Sequence, residues 1–118
     1  MLSCGLSLSE PHLRVIVFPQ FKVNSLGPVH SITAFLPLLR ASETKKIIVI
    51  GSHGGDPKTI LSMRLANLCA YGMTKAAAVV ATTKFALQLK DEGFTVVTLN
   101  PGSVNTSGTT PPRDSTSC

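Results

Sequence analysis

The sequence predicts an α/β fold built on a parallel sheet, and three observations carry that expectation. Two short runs rich in β-branched residues, Lys46–Ile50 and Phe94–Leu99, each stop at a turn-forming segment. Between them, Ala66–Leu89 places apolar or small residues at Leu68, Cys69, Gly72, Ala76, Val79, Val80, Ala86 and Leu89, which reads as one long helix. Two strands joined through a helix of that length form a right-handed parallel unit. In such a sheet, function gathers at the carboxyl ends of the strands. That edge holds Ser52, just past the first strand, and Asn100–Thr106, just past the second.

The remaining elements follow in order. Residues 12–23 are ambiguous: Leu13–Phe18 is rich in Val, Ile and Phe and favours a strand, and Pro19 would interrupt a helix. Apolar residues at Val29, Ile32, Phe35, Leu36 and Leu39 recur in steps of three and four, the mark of an amphipathic helix. Pro37 inside that run predicts a kink or an early end. Lys46–Ile50 reads as a buried strand and Gly51–Lys58 as a loop. The long helix should end near Asp91-Glu92-Gly93, with Gly93 as the stop signal. Phe94–Leu99 reads as a second buried strand, broken by Asn100-Pro101-Gly102. Thr109–Cys118, mostly Thr, Pro, Ser and charge, reads as a frayed tail.

Composition excludes several classes. The 118 residues suit one domain, and 43% apolar against 14% charged argues for an ordered fold with strands covered on both faces. The net charge of +5 is scattered, aromatics make up 5%, and Trp is absent, so there is no basic stripe or stacking platform for nucleic acid. A mild positive balance suits an anionic small ligand equally well. Cys4, Cys69 and Cys118 are odd in number and far apart, with neither metal-ligand spacing nor a disulfide framework. The expected compartment is reducing and cytoplasmic. Met1–Leu8 is too short and polar for a signal peptide, and no apolar run approaches the roughly 20 residues of a membrane helix.

Tyr71 and Lys75 stand four residues apart on the predicted helix, so they share a face, about 6 Å apart at Cβ. A free phenol titrates near ~10, and a neighbouring ammonium favours the phenolate. Such a phenol exchanges a proton with a substrate oxygen. A bare pair at this spacing also arises by chance on a helix surface. Its surroundings add weight. Ile48-Val49-Ile50-Gly51-Ser52-His53-Gly54-Gly55 lies upstream, a strand opening into a Ser and glycines. Asn100-Pro101-Gly102-Ser103-Val104-Asn105-Thr106 follows the second strand, and Phe21-Lys22-Val23-Asn24-Ser25-Leu26-Gly27-Pro28 stands at the start of a helix.

These blocks, in this order, resemble the C-terminal half of the short-chain dehydrogenase/reductase family over roughly residues 21–106. The resemblance implies a partial Rossmann-like, doubly wound parallel sheet. It implies Tyr71 as the general acid/base, and Lys75 as the residue that tunes it and holds the nicotinamide ribose. Ser52 matches the residue that hydrogen-bonds the substrate carbonyl, and Asn24 the one holding a water that links Lys75 to solvent. Pro101 and Gly102 match the turn that packs on the nicotinamide, with Val104 beside them, and Thr106 the hydroxyl that binds its carboxamide. The implied cofactor is NADP or NAD, and the implied substrate a carbonyl or alcohol. In the family the helices matching 29–39 and 66–89 commonly build the subunit interface, so self-association through them is expected, with neither nucleic acid nor membrane as partner.

Other readings stay open at each position. Ser52 reads equally as a loop residue, Asn24 as a helix cap, Thr106 as a solvated turn residue and His53 as a loop side chain. The chain also departs from the family pattern. No glycine-rich turn precedes Asn24, and Gly51-Ser52-His53-Gly54-Gly55 lacks the G-x-G-x-x-G spacing of a dinucleotide turn. The N-terminal nucleotide-binding strands are therefore expected to be absent. Residues 1–20 form a poorly matching segment, 21–106 the partial domain and 107–118 a tail. The first remaining strand is then an exposed apolar edge, expected to destabilise the isolated chain or pair with another. Extra residues in Asp56–Leu65 lengthen the spacing from Ser52 to Tyr71. Besides the oxidoreductase, two alternatives remain: a non-catalytic binding or regulatory remnant, and a sugar-nucleotide epimerase or dehydratase sharing the Tyr/Lys pair. The Asn100–Thr106 block favours the reductase over the latter.

Overall fold

A strand needs a neighbour to satisfy its backbone, whereas a helix satisfies its own. That difference decides the N-terminal region. The computed structural model describes residues 13–105. They open on a helical run: a π-turn at Leu13–Val17, α1 at Phe18–Phe21, a second π-turn at Lys22–Leu26, and α2 at Gly27–Ala41. The strand favoured for Leu13–Phe18 is thus a helix. The wide π-turns precede Pro19 and Pro28, which sit in the first turns of α1 and α2. Proline brings no N–H and crowds the carbonyl four residues back, and a π-turn shifts the bonding around it. The Gly27 N–H accordingly bonds the Lys22 carbonyl, five residues back.

Pro37 does not end α2, which continues to Ala41. Thr33, whose carbonyl loses the Pro37 partner, is exposed, so water reaches that side of the helix. The chain then forms β1 at Lys46–Ile50, a 3₁₀ turn at His53–Gly55, α3 at Pro57–Met63, α4 at Cys69–Gln88, a 3₁₀ turn at Lys90–Glu92 and β2 at Thr95–Leu99.

α3 replaces part of the expected loop. Asp56 caps it by accepting the Thr59 N–H at 3.0 Å, and Pro57 fills the first helical position. α4 starts at Cys69 rather than Ala66, because Arg64 and Leu68 take left-handed conformations, φ 53° and 57°. Gly93 stops the helical run as anticipated, at φ 80°.

β1 and β2 pair in parallel, with Lys46 opposite Thr95 and Ile50 opposite Leu99. This is the expected α/β architecture, a partial Rossmann-like sheet. One face carries the core: Ile47, Val49 and Val96 pack with Ile32 of α2, Leu89 and Phe94, supported by Leu36, Leu39, Phe85 and Ala86. The other face is bare, with Ile48 59%, Ile50 51%, Val97 44% and Leu99 51% exposed. The two strands expected to be covered on both faces are therefore covered on one. The cause is local: α2 and the end of α4 both pack against the same side of the pleat. Along β1, an open apolar groove of about 620 Å³ separates the strand from Ile32, Phe35 and Leu39 of α2. Among the described residues, no helix is long and apolar enough to cross a membrane.

Candidate active site at the carboxyl edge of the sheet

Parallel pairing places the carboxyl ends of β1 and β2 side by side, and the Gly51 N–H reaches the Leu99 carbonyl at 2.7 Å. Gly51 and Ser52 leave this edge from β1, and Asn100–Asn105 from β2. α4 runs beside it and carries Tyr71 and Lys75 one turn apart, both half-buried. The Lys75 ammonium lies 5.7 Å from the centre of the Tyr71 ring and donates to the Ile50 carbonyl at 3.0 Å. One lysine thus links the phenol to the end of β1.

Glycines set the distance between the β1 loop and α4. A methyl placed on Gly72 would stand 2.5 Å from the Gly54 carbonyl oxygen, and one on Gly55 would stand 2.9 Å from the backbone at Lys75 and Ala76. The loop therefore lies directly on the helix turn between Tyr71 and Lys75. A methyl on Gly54 would meet Ser52 Oγ at 3.8 Å and Tyr71 Cδ1 at 3.9 Å, so the two candidate side chains flank one point. Ser52 Oγ accepts the Gly54 N–H at 3.3 Å, which holds the loop closed. Gly54 and Gly55 are used for packing against α4, and Gly51 for packing against Thr98 of β2.

Asn24 does not cap a helix. It lies inside the second π-turn, and its Nδ2 donates to Thr74 Oγ1 at 3.1 Å. Pro28, four residues on, has no N–H to offer the Asn24 carbonyl, which in a regular α-helix would receive one. Spacing to a proline is a signal the sequence did contain. After β2, Gly102 takes φ 71°, and its N–H bonds Asn100 Oδ1 at 3.1 Å, forming a tight exposed turn. Pro101 and Val104 are exposed in that turn. Thr106 lies outside the described residues.

Tyr71, Lys75, Ser52 and Asn24 are thus gathered around one stretch of α4, while Pro101, Gly102 and Val104 follow β2 on the same edge of the sheet. Sequence reasoning missed Thr74, Ser25 and the glycine contacts. Thr74 is buried beneath the Tyr71–Lys75 turn and touches Tyr71, Asn24 and Ser25 by hydrogen bonds. Of the three cysteines, Cys69 is described; it is half-buried at the start of α4, with Sγ 3.9 Å from Met73 Sδ.

A nicotinamide cofactor is implied by the family resemblance, and the donor set fits one end of it. An ammonium, a phenol and two hydroxyl or amide side chains gather around one stretch of α4, and the turn after β2 leaves the same edge of the sheet, its Gly102 with free space where a Cβ would be. The glycine-rich segment after β1 offers no phosphate cradle, since its backbone rests on α4.

A family model for short chain dehydrogenase matches residues 14–116. The short-chain dehydrogenase/reductase atnB of Arthrinium sp is 40% identical over 100 residues, covering 85% of this chain and 38% of its own length. The short-chain dehydrogenase/reductase iacC of Pestalotiopsis fici is 39% identical over 84 residues, 71% of this chain and 31% of its own. An uncharacterized oxidoreductase of Saccharomyces cerevisiae is 33% identical over 111 residues, 89% of this chain and 42% of its own. The chain spans less than half the length of each of these relatives. With the parallel sheet, the Tyr71–Lys75 turn and these matches together, the chain belongs to the short-chain dehydrogenase/reductase family of oxidoreductases.

Proposed function

We propose that this chain carries the proton-transfer site of an NADP- or NAD-dependent oxidoreductase that interconverts a carbonyl and an alcohol. The observation that carries the reading is Lys75, whose ammonium lies 5.7 Å from the Tyr71 ring centre while anchored to the carboxyl end of β1. When bound, the nicotinamide supplies the hydride chemistry. The Tyr71 hydroxyl gives a proton to the substrate oxygen, or takes it back in the reverse direction. Lys75 keeps positive charge beside the phenol where negative charge develops and would hold the nicotinamide ribose. Ser52 orients the substrate oxygen toward Tyr71. Asn24 holds a water that connects Lys75 to solvent. Pro101, Gly102 and Val104 would flank the nicotinamide ring, and Thr106 would bind its carboxamide.

The test is carbonyl reduction and cofactor binding by the full chain. Tyr71→Phe should reduce turnover by about 10²–10⁴-fold, the range of general acid/base catalysis, while NAD(P)H fluorescence still reports binding. Absence of NAD(P)H binding to the wild-type chain at millimolar cofactor would sink independent catalysis.

A second reading is favoured by the bare sheet face: a non-catalytic module whose apolar surfaces bind a partner. Exposed apolar residues on α2 (Phe35, Leu38) and α4 (Met73, Val80, Leu87) support self-association through those helices under either reading. Light scattering on size-exclusion peaks separates monomer from dimer.

A further inference from the structure

We propose that Thr74 is a positioning residue of this site, its hydroxyl holding the Asn24 side chain against the backbone of Tyr71. Thr74 is 0% exposed. Its Oγ1 donates to the Tyr71 carbonyl at 2.8 Å and accepts from Asn24 Nδ2 at 3.1 Å. Its own carbonyl accepts from the hydroxyl of buried Ser25 at 2.8 Å. Two of these three hydrogen bonds, from Asn24 and Ser25, clamp the π-turn at Lys22–Leu26 to the turn of α4 that spans Tyr71 and Lys75, and the third ties the hydroxyl to the Tyr71 backbone.

Threonines in helices commonly bond the carbonyl one turn back, and Thr33, Thr82 and Thr83 here do that to Val29, Ala78 and Val79. The Thr74 hydroxyl does more, since it also receives a donor from a residue 50 positions away. The need for that anchor lies in the π-turn itself. Pro28 withholds an N–H from the Asn24 carbonyl, so the regular backbone ladder is interrupted at Asn24. A side-chain bond to a buried hydroxyl fixes what the ladder leaves loose. Thr74 also precedes Lys75 directly, so its placement sets where the Lys75 backbone sits. The inference rests on Tyr71, Lys75 and Asn24 acting as proposed above.

The experiment uses the full chain and two readouts. The first is hydrogen exchange of the Asn24 side-chain amide by NMR, assigned through its loss in Asn24→Asp. In wild type this amide should be protected. Thr74→Val keeps the volume and removes both bonds, and should speed exchange about tenfold, the size expected for a buried hydrogen bond. Thr74→Ser should restore protection. The second is reduction of phenanthrenequinone with NADPH or NADH. Thr74→Val should lower kcat about tenfold with KM little changed, and Thr74→Ser should recover most of the rate. An unprotected Asn24 amide in wild type overturns the inference whether or not any variant folds. So does Thr74→Ser matching Thr74→Val in amide exchange. If wild type reduces no quinone, the proton-transfer reading fails, while the amide exchange still decides what Thr74 holds.

Discussion

At Gly72 two effects oppose each other, and their sizes decide the outcome. Alanine is favoured over glycine inside a helix by about 0.8–1 kcal/mol. The added methyl at this position stands 2.5 Å from the Gly54 carbonyl oxygen, a backbone atom with little freedom to retreat. Overpacking of that kind costs roughly 1–3 kcal/mol. Gly72→Ala should therefore lower stability in urea or thermal unfolding, against its helix propensity, and a raised midpoint would refute the contact. The same comparison shows which residues of the site were readable. Tyr71 and Lys75 announce themselves because their relation is local, one helix turn. Gly72 and Thr74 lie between them in sequence, yet their roles depend on Gly54 and Asn24, whose proximity only the fold creates. Asn24 was readable as a candidate, and its π-turn was missed although Pro28, four residues on, marks it.

At the level of elements, β1 separates buried from bare side chains at successive positions. Ile47→Ala should cost about 2–5 kcal/mol, as for a core cavity. Ile48→Ala should change stability by no more than about 0.5 kcal/mol, as for a surface site. Equal costs would mean that something covers the second face in solution. The sequence could not supply this contrast, because Lys46–Ile50 is a near-continuous apolar run with no polar alternation to mark a wet side. α3 was missed for a different reason: Asp56 and Pro57 form a start signal, but the helix of Pro57–Met63 is too short to show a period.

Elements also meet through charge. Arg40 near the end of α2 forks onto Glu92 ahead of β2, at 2.6 and 2.7 Å. The hydrogen bonds from Arg40 hold the Glu92 carboxyl below its ordinary value of 4.5. A carboxylate with a depressed folded pKa contributes stability above its unfolded value, and that contribution is lost as pH falls through the folded value. Unfolding midpoints should thus drop below about pH 4.5, and Glu92→Gln should flatten that acid limb. Both partners are exposed, so the effect should shrink in high salt.

For the molecule as a whole, the α/β class and the parallel pairing were legible, because both follow from two strand runs and the helix between them, and the family was legible from the motif blocks around Tyr71 and Lys75. What surrounds the sheet was not, since coverage is a property of neighbours that no residue in β1 or β2 specifies. The bare side of Ile48, Ile50, Val97 and Leu99 has a thermodynamic consequence. Denaturant slopes and heat-capacity increments both scale with the surface newly wetted on unfolding. A sheet already wet on one side has less left to uncover. Calorimetry and urea titration of the chain should give a heat-capacity increment below the usual ~12–15 cal/mol/K per residue and a correspondingly shallow, broad transition. A partner that sealed that side would sharpen the transition and raise the increment together.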